Sequence, residues 1–263
     1  MEYVWPILIL FVIALVFGIL ITILSKKLAV KKDEKEEKIR ELLAGANCGA
    51  CGQAGCDAFA KALCEGKANI SDCNATAKDN KDKIADILGV ENSGEETKVV
   101  VACMGGANAK DKYIYNGYDT CEYNAQVQGG IKMCSNACLG LGTCGSVCPE
   151  GAIVVDPEKG YADIDQSKCI NCGACLSNCP KHVIKRIPKK AKVMVKCSNT
   201  AKGKAVMDVC ANGCIGCGLC AKMCPEGAIT MENNLPVIDY NKCVGCYKCV
   251  EKCPRHVIVK LVD

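Results

Sequence analysis

Three stretches of this 263-residue chain space four cysteines identically, as C-x2-C-x2-C-x3-C followed by proline. They are Cys169, Cys172, Cys175 and Cys179; Cys214, Cys217, Cys220 and Cys224; and Cys243, Cys246, Cys249 and Cys253. A fourth run, Cys134-x3-Cys138-x5-Cys144-x3-Cys148-Pro, is a stretched version. Cysteine accounts for 25 residues, whereas Phe totals three and Trp one. A chain of this kind is either a disulfide scaffold or a metal protein, and not an ordinary globular enzyme. Its formal charge of +4, from 33 basic and 29 acidic residues, implies no strong polyanion-binding field and no nucleic-acid partner.

The N-terminus decides between the two. Tyr3 to Ser25 contains no charged residue. As a helix at about 1.5 Å per residue it spans roughly 34 Å, enough to cross a hydrocarbon core of about 30 Å. Tyr3 and Trp5 stand at one end, as interfacial aromatics do, and Lys26, Lys27, Lys31 and Lys32 follow the other. A cleaved signal peptide would need a basic n-region and a small-residue cleavage site, and neither is present. The expectation is a single-pass anchor in the cell membrane, with the bulk of the chain on the cytoplasmic side by the positive-inside rule. Cytoplasmic thiols are kept reduced, so the cysteines are expected to be metal ligands.

The expected class is α+β. Its parts are a transmembrane anchor (1–25), a charged stalk (26–45), a compact four-cysteine domain (46–90) and two strand-led modules (97–190 and 191–263). The modules are a duplication: Cys148-Pro-Glu-Gly-Ala-Ile153 recurs as Cys224-Pro-Glu-Gly-Ala-Ile229, and Cys179-Pro-Lys-His-Val-Ile184 recurs as Cys253-Pro-Arg-His-Val-Ile258. Each begins with a β-like run ending in cysteine, at Cys103 and at Cys197. The stretch from Ile187 to Lys196 is expected to link them.

The regular cysteine spacing is similar to that of bacterial two-cluster ferredoxins. That resemblance implies that three thiolates of a run hold one [4Fe–4S] cube while the fourth crosses to the neighbouring cube. Four sets follow: Cys134, Cys138, Cys144 with Cys179; Cys169, Cys172, Cys175 with Cys148; Cys214, Cys217, Cys220 with Cys253; and Cys243, Cys246, Cys249 with Cys224. Zinc also takes four thiolates, but in separated C-x2-C pairs without a three-cysteine run ending in Cys-Pro. Nearer the membrane segment, Cys48, Cys51, Cys56 and Cys73 supply four more thiolates; a zinc knuckle or buried thiols are the alternatives, and the flanking glycines and the four ferredoxin-like runs favour a fifth cluster. Cys64 reads as a small buried hydrophobe. Cys103, Cys121, Cys197 and Cys210 are either buried thiols or together the ligands of a sixth cluster; spacing leaves both open.

Other features carry less. Gly140, Gly142 and Gly145 fit G-x-G-x-x-G but lie inside a ligand run. His182 and His256 hold equivalent repeat positions and read as structural. The basic run Lys181, Lys185, Arg186, Lys189, Lys190, Lys192 and Lys196 is a solvated face or a dock for an acidic redox partner.

The order of anchor, Cys48–Cys73 domain and ferredoxin modules resembles the B-type subunit of the Rnf complexes, membrane-bound ferredoxin:NAD+ oxidoreductases that move Na+ or H+. The resemblance covers essentially the whole chain. It implies a translocase subunit without a complete active site, in which electrons from reduced ferredoxin hop through the clusters to the one held by Cys48, Cys51, Cys56 and Cys73, then to integral membrane subunits. The implied partners are those subunits, soluble ferredoxin and membrane lipid. Two rivals remain: a membrane-anchored polyferredoxin serving a hydrogenase or corrinoid-reducing system, and a zinc-binding interaction protein. Five cubes correspond to about 20 irons per chain, and six to about 24.

Overall fold

The charge-free run forms helix α1 (Val4–Leu28). The computed structural model describes residues 4–28, 33–92 and 94–261, so Tyr3, Lys31 and Lys32, which flank the apolar run in sequence, lie outside the described residues. Trp5 and every side chain from Leu8 to Leu24 are exposed. Among the described residues no helix is long and apolar enough to cross a membrane; the side chains described without a break on α1 end at Leu8 and Leu24.

Three helices then enclose a small apolar core. In α2 (Glu34–Leu42), Asp33 caps the N-terminus by accepting from the Lys35 amide at 3.2 Å, and Glu34, Glu36 and Glu37 crowd the positive end of the helix dipole. The next helix, α3 (Cys56–Cys64), is capped from a distance, since the Asn47 Oδ1 accepts from the Cys56 amide at 2.8 Å. The third, α4 (Lys78–Leu88), ends at Gly89, whose left-handed backbone (φ 70°) turns the chain away. Between them Ile39, Leu43, Phe59, Leu63, Ile70 and Ile84 are buried together with Cys73.

The remaining chain repeats one plan twice. In the first half, β1 (Thr97–Val101) pairs antiparallel with the closing strand β4 (Ile184–Pro188). Inside that pair lie α5 (Cys121–Gln126), α6 (Thr143–Ser146), the hairpin β2 (Ile153–Asp156) with β3 (Tyr161–Ile164), and α7 (Ala174–Ser177). In the second half β5 (Val193–Val195) pairs with β8 (Ile258–Lys260), enclosing α8 (Lys204–Met207), α9 (Leu219–Met223), the hairpin β6 (Ile229–Glu232) with β7 (Leu235–Ile238), and α10 (Lys248–Glu251). Half of the stretch expected to link the halves is strand, with Ile187 and Pro188 ending β4 and Val193–Val195 forming β5. Pro188 closes β4 opposite Thr97, at a strand end where a missing N–H costs no central ladder bond.

Strand β1 holds the halves together through its two faces, since successive side chains alternate. Val99 and Val101 enter the first half's core, while Val100 and, just past the strand, Ala102 pack on Met194 of β5. The buried Ser198 hydroxyl donates to the Ala102 carbonyl at 2.9 Å across the same seam. A second join is a ladder of three extended segments. The Lys110 amide donates to the Val209 carbonyl and the Ala211 amide to the Asn108 carbonyl, both at 2.9 Å. On the other edge the Met133 amide donates to the Lys110 carbonyl at 2.8 Å, and the Lys112 amide to the Ile131 carbonyl at 2.6 Å. The buried Lys132 braces this segment, with Nζ 2.8 Å from Asp111 Oδ1 and donating to the Ala109 carbonyl at 3.3 Å.

Phe59 is the one phenylalanine outside α1, and it is 1% exposed. Its truncation to alanine is expected to cost the four-cysteine domain about 3–5 kcal/mol, read as a lower denaturation midpoint. Ile114→Ala, at a side chain 89% exposed, is expected to leave that midpoint unchanged.

Candidate metal centres

Each ferredoxin-like run is a loop followed by one turn of helix carrying a cysteine: Cys144 in α6, Cys175 in α7, Cys220 in α9 and Cys249 in α10. The residue before each turn is left-handed. Glycine fills that place at Gly142, Gly173 and Gly218, and Tyr247 fills it in the fourth run with φ 60°. The Tyr247 ring lies under Lys260, whose Nζ is 4.6 Å from its centroid. After each crossing Cys-Pro, His182 and His256 adopt the same left-handed φ of 51°. Their amides donate back to the Cys179 and Cys253 carbonyls at 3.0 and 3.2 Å. Histidine tolerates this region better than most residues, which gives both a backbone role.

The folded chain gathers cysteines around separate hollows. One is lined by Cys214, Cys217, Cys220 and Cys253, and a second by Cys224, Cys243, Cys246 and Cys249. In both, the fourth cysteine of a run faces the other run's three. A third hollow is lined by Cys48, Cys51, Cys56 and Cys73, and Cys172 enters its wall. Cys175 has Cys172, Cys169 and Cys148 as its charged neighbours, which groups these four.

The stretched run departs from expectation. Its hollow is lined by Cys138, Cys144 and Cys179, but the fourth cysteine there is Cys121, not Cys134. The Cys121 amide donates to the Thr143 hydroxyl at 2.8 Å, which ties α5 to the helical turn carrying Cys144. Cys134 is instead buried with Ala109, Ala137 and Cys210. Around this hollow Cys121 thus stands where Cys134 was expected, and Cys134 lies beside Cys210. A sequence signal for this exists. Counting back from Cys-Pro, Cys138, Cys144 and Cys148 fall in register with Cys214, Cys220 and Cys224, and Leu141 stands where the second half has Cys217. In that register Cys134 matches Cys210, outside the run. The stretched run is thus a regular run lacking its middle cysteine.

The donor chemistry fits iron–sulfur clusters. All 25 cysteines are free thiols. Burial raises the pKa of several of them, with neighbouring cysteines adding to the effect: Cys138 is pushed up to about 12, and Cys144, Cys175 and Cys220 to about 11. Thiolate there needs nearby positive charge, which bound iron supplies. Backbone amides are already aimed at sulfur: Ala152 donates to Cys148 Sγ at 3.3 Å and Asn171 to Cys169 Sγ at 3.4 Å. Among the described residues no three His, Cys, Asp or Glu side chains close around a single ion. Four sulfurs on one zinc would stand about 3.8 Å apart, given a Zn–S bond of about 2.3 Å, whereas the corner thiolates of a cube stand wider.

Cys64 lies on α3 outside these hollows, packed against the helical core, and burial raises its pKa. Much of the basic run is engaged within the chain. Lys189 and Lys190 pair with Glu96 and Glu95 at 3.4 and 2.6 Å, Arg186 donates to the Asn171 carbonyl at 3.1 Å, and Lys181 to the Gly129 carbonyl at 2.9 Å. In the G-x-G-x-x-G segment, Gly142 begins α6 and no strand leads into it.

Comparison with known proteins agrees with this chemistry. Residues 43–75 match the family described as "Putative Fe-S cluster". Two families described as "4Fe-4S dicluster domain" match residues 134–183 and 213–257, and residues 162–231. The chain is 42% identical to the B-type subunit of the Na(+)-translocating ferredoxin:NAD(+) oxidoreductase complex of Acetobacterium woodii, over 90% of this chain and 72% of that one. It is 36% identical to the B-type subunit of the ion-translocating oxidoreductase complex of Methanosarcina acetivorans, over 86% of each. It is 38% identical to the B-type subunit of the proton-translocating ferredoxin:NAD(+) oxidoreductase complex of Clostridium ljungdahlii, over 87% of this chain and 81% of that one.

Two outcomes are expected. Cys224→Ala should remove the Mössbauer component of the Cys243, Cys246 and Cys249 cluster and spare that of the other three cysteines in its own run. Iron chelation should abolish the native far-ultraviolet circular dichroism of the ferredoxin-like halves, because their cores are built partly of ligand sulfur.

Proposed function

The chain belongs to the family of B-type subunits of ion-translocating oxidoreductase complexes, and on that premise we propose that it is the membrane-anchored iron–sulfur subunit that relays electrons from reduced ferredoxin to the membrane subunits of an Rnf-type complex. Each cluster, when bound, takes up and gives up one electron at a time. What the chain contributes is position. The observation that carries the proposal is Cys172, a member of the Cys148, Cys169, Cys172, Cys175 group, standing in the wall of the Cys48, Cys51, Cys56, Cys73 hollow. It sets the first ferredoxin-like half against the four-cysteine domain, the part nearest α1 in the chain. The Cys144 thiol in turn has Cys175 among its charged neighbours, so the next set adjoins as well.

Three features support membrane anchoring through α1. The described side chains of Leu8 to Leu24 are apolar apart from Thr22, and all are exposed to whatever surrounds the helix. The Thr22 hydroxyl donates to the Gly18 carbonyl at 2.7 Å, which satisfies it within the helix as hydrocarbon requires. Lysines follow the apolar run in sequence, which supports a cytoplasmic side for the cysteine-bearing parts. The nicotinamide site and the ion path belong to other subunits, since one helix without an internal charge offers no ion pathway.

The test is isolation of the full chain from its native membrane. Flavin-bearing membrane subunits are expected to accompany it, and reduced ferredoxin is expected to bleach its visible absorption. A chain begun at Asp33 should leave the membrane fraction. Absence of those subunits would assign the chain to another redox enzyme as a polyferredoxin, and absence of bleaching would remove the electron-transfer role.

A further inference from the structure

The geometry points to a sixth cluster site at the seam between the two ferredoxin-like halves, formed by Cys103 and Cys134 of the first half with Cys197 and Cys210 of the second. It rests on the iron–sulfur function proposed above and deepens it. All four side chains are buried, at 5%, 6%, 8% and 5% exposure, whereas Cys217 and Cys246 of the regular runs are exposed.

Several observations bring the four together. A β-carbon built on Gly105 would lie 3.3 Å from Cys103 Sγ and 3.7 Å from Cys210 Sγ, so both sulfurs face the same glycine. Cys134 and Cys210 share one apolar cluster around Ala109. Cys103, Cys197 and Cys210 all stand near enough to Cys134 to add to the rise that burial causes in its pKa. The Asn108–Lys112 segment, paired on one edge with residues 209–211 and on the other with 131–133, delivers Cys210 and Cys134 to opposite sides of Ala109. The Arg255 guanidinium pins the Cys210 loop by donating to the carbonyls of Cys210 at 3.0 Å, Ala211, and Gly213 at 3.3 Å.

The site also has the duplication's symmetry. Cys103 and Cys197 each end the leading β-like run of their half. Cys103 Sγ accepts from the Cys138 amide and Cys197 Sγ from the Cys214 amide, both at 3.3 Å. Cys134 and Cys210 each stand four residues before those same donors, Cys138 and Cys214. Two equivalent pairs, one from each half, thus face each other. Their hydrogen-bonded neighbours are the first cysteines of the Cys138 and Cys214 sets, so this group stands between those sets. It fills the interval that separates one half's clusters from the other's.

The experiment is iron, sulfide and zinc analysis with Mössbauer spectroscopy on the anaerobically produced full chain and its variants. Six cubes give about 24 irons and as many sulfides. Cys134→Ala and Cys210→Ala should each lose about four irons, with the same spectral component, and the double variant should lose no more than either alone. Combining Cys121→Ala with Cys210→Ala should lose about eight, in two components. A wild-type value near 20, zinc at the seam, or additive loss in the Cys134→Ala/Cys210→Ala double variant would overturn the site. The wild-type count needs no variant to fold. A wild-type chain with no iron at all would instead sink the iron–sulfur function on which the site rests.

Discussion

Sulfur occupies the positions where a chain of this size ordinarily keeps leucine and phenylalanine. In the first half Cys103, Cys138 and Cys175 are buried with Val99, Val101, Ile153 and Val183; in the second Cys197, Cys214, Cys220, Cys249 and Cys253 are buried with Val193, Ile229 and Val257. A thiol is a small apolar group only while it keeps its proton, and burial favours that form at Cys138, Cys175 and Cys220. Bound iron would replace those protons with its own charge and would tie together two loops, one carrying three cysteines and one carrying the crossing fourth. Binding energy and folding energy then become one quantity, as in other small metal domains. The strands are correspondingly slight: four two-stranded pairs of three to five residues, each too small to persist alone.

The duplication governs how the halves meet. Each half needs a leading strand to close against its last one, and β1 and β5 meet that need. Because β1 exposes alternate residues on both faces, it also forms part of the wall against β5. The halves therefore share apolar surface as well as a backbone ladder through Asn108–Lys112. Cysteines drawn to such a seam come in equivalent pairs, since whatever loop position reaches it in one half reaches it in the other. Cys103 with Cys197, and Cys134 with Cys210, follow that rule. Cys121 does not: it has no seam counterpart, and it enters the set that lacks a middle cysteine.

Much of the site was legible in the residues because ligand spacing is a local property. The hollows bring Cys253 beside Cys214, Cys217 and Cys220, Cys224 beside Cys243, Cys246 and Cys249, and Cys48, Cys51, Cys56 and Cys73 together, and each of these groups could be named from the residues alone. The exchange of Cys121 for Cys134 was not read from spacing. Cys134 and Cys138 look like the start of a run, and only the register set by the second half reveals Leu141 as a missing ligand. The replacement comes from 20 residues upstream of Leu141, through the Thr143 bond to the Cys121 amide, a contact that no spacing encodes. The strand character of residues 184–188 was likewise hidden, because Pro188 and its lysine neighbours resemble a linker until β1 is placed beside them.

The left-handed positions show how far a motif can vary while its geometry is kept. Before each ligand-bearing helical turn the backbone must reverse with positive φ, and glycine does this without a β-carbon clash. Tyr247 takes the same conformation with a side chain, at a cost of about 1–3 kcal/mol for a non-glycine residue held there. Its ring offsets part of that by lying under Lys260 of β8, the strand that closes the second half against β5. The substitution therefore couples the loop of the last run to the closure of its module. In the first half the corresponding residue is Gly173, and a β-carbon there would meet the Arg186 guanidinium of β4 at 2.6 Å. One half reaches from its ligand loop to its closing strand through an aromatic ring and a lysine. The other lays an arginine over the loop backbone, where glycine meets the left-handed φ of 87° without a side chain.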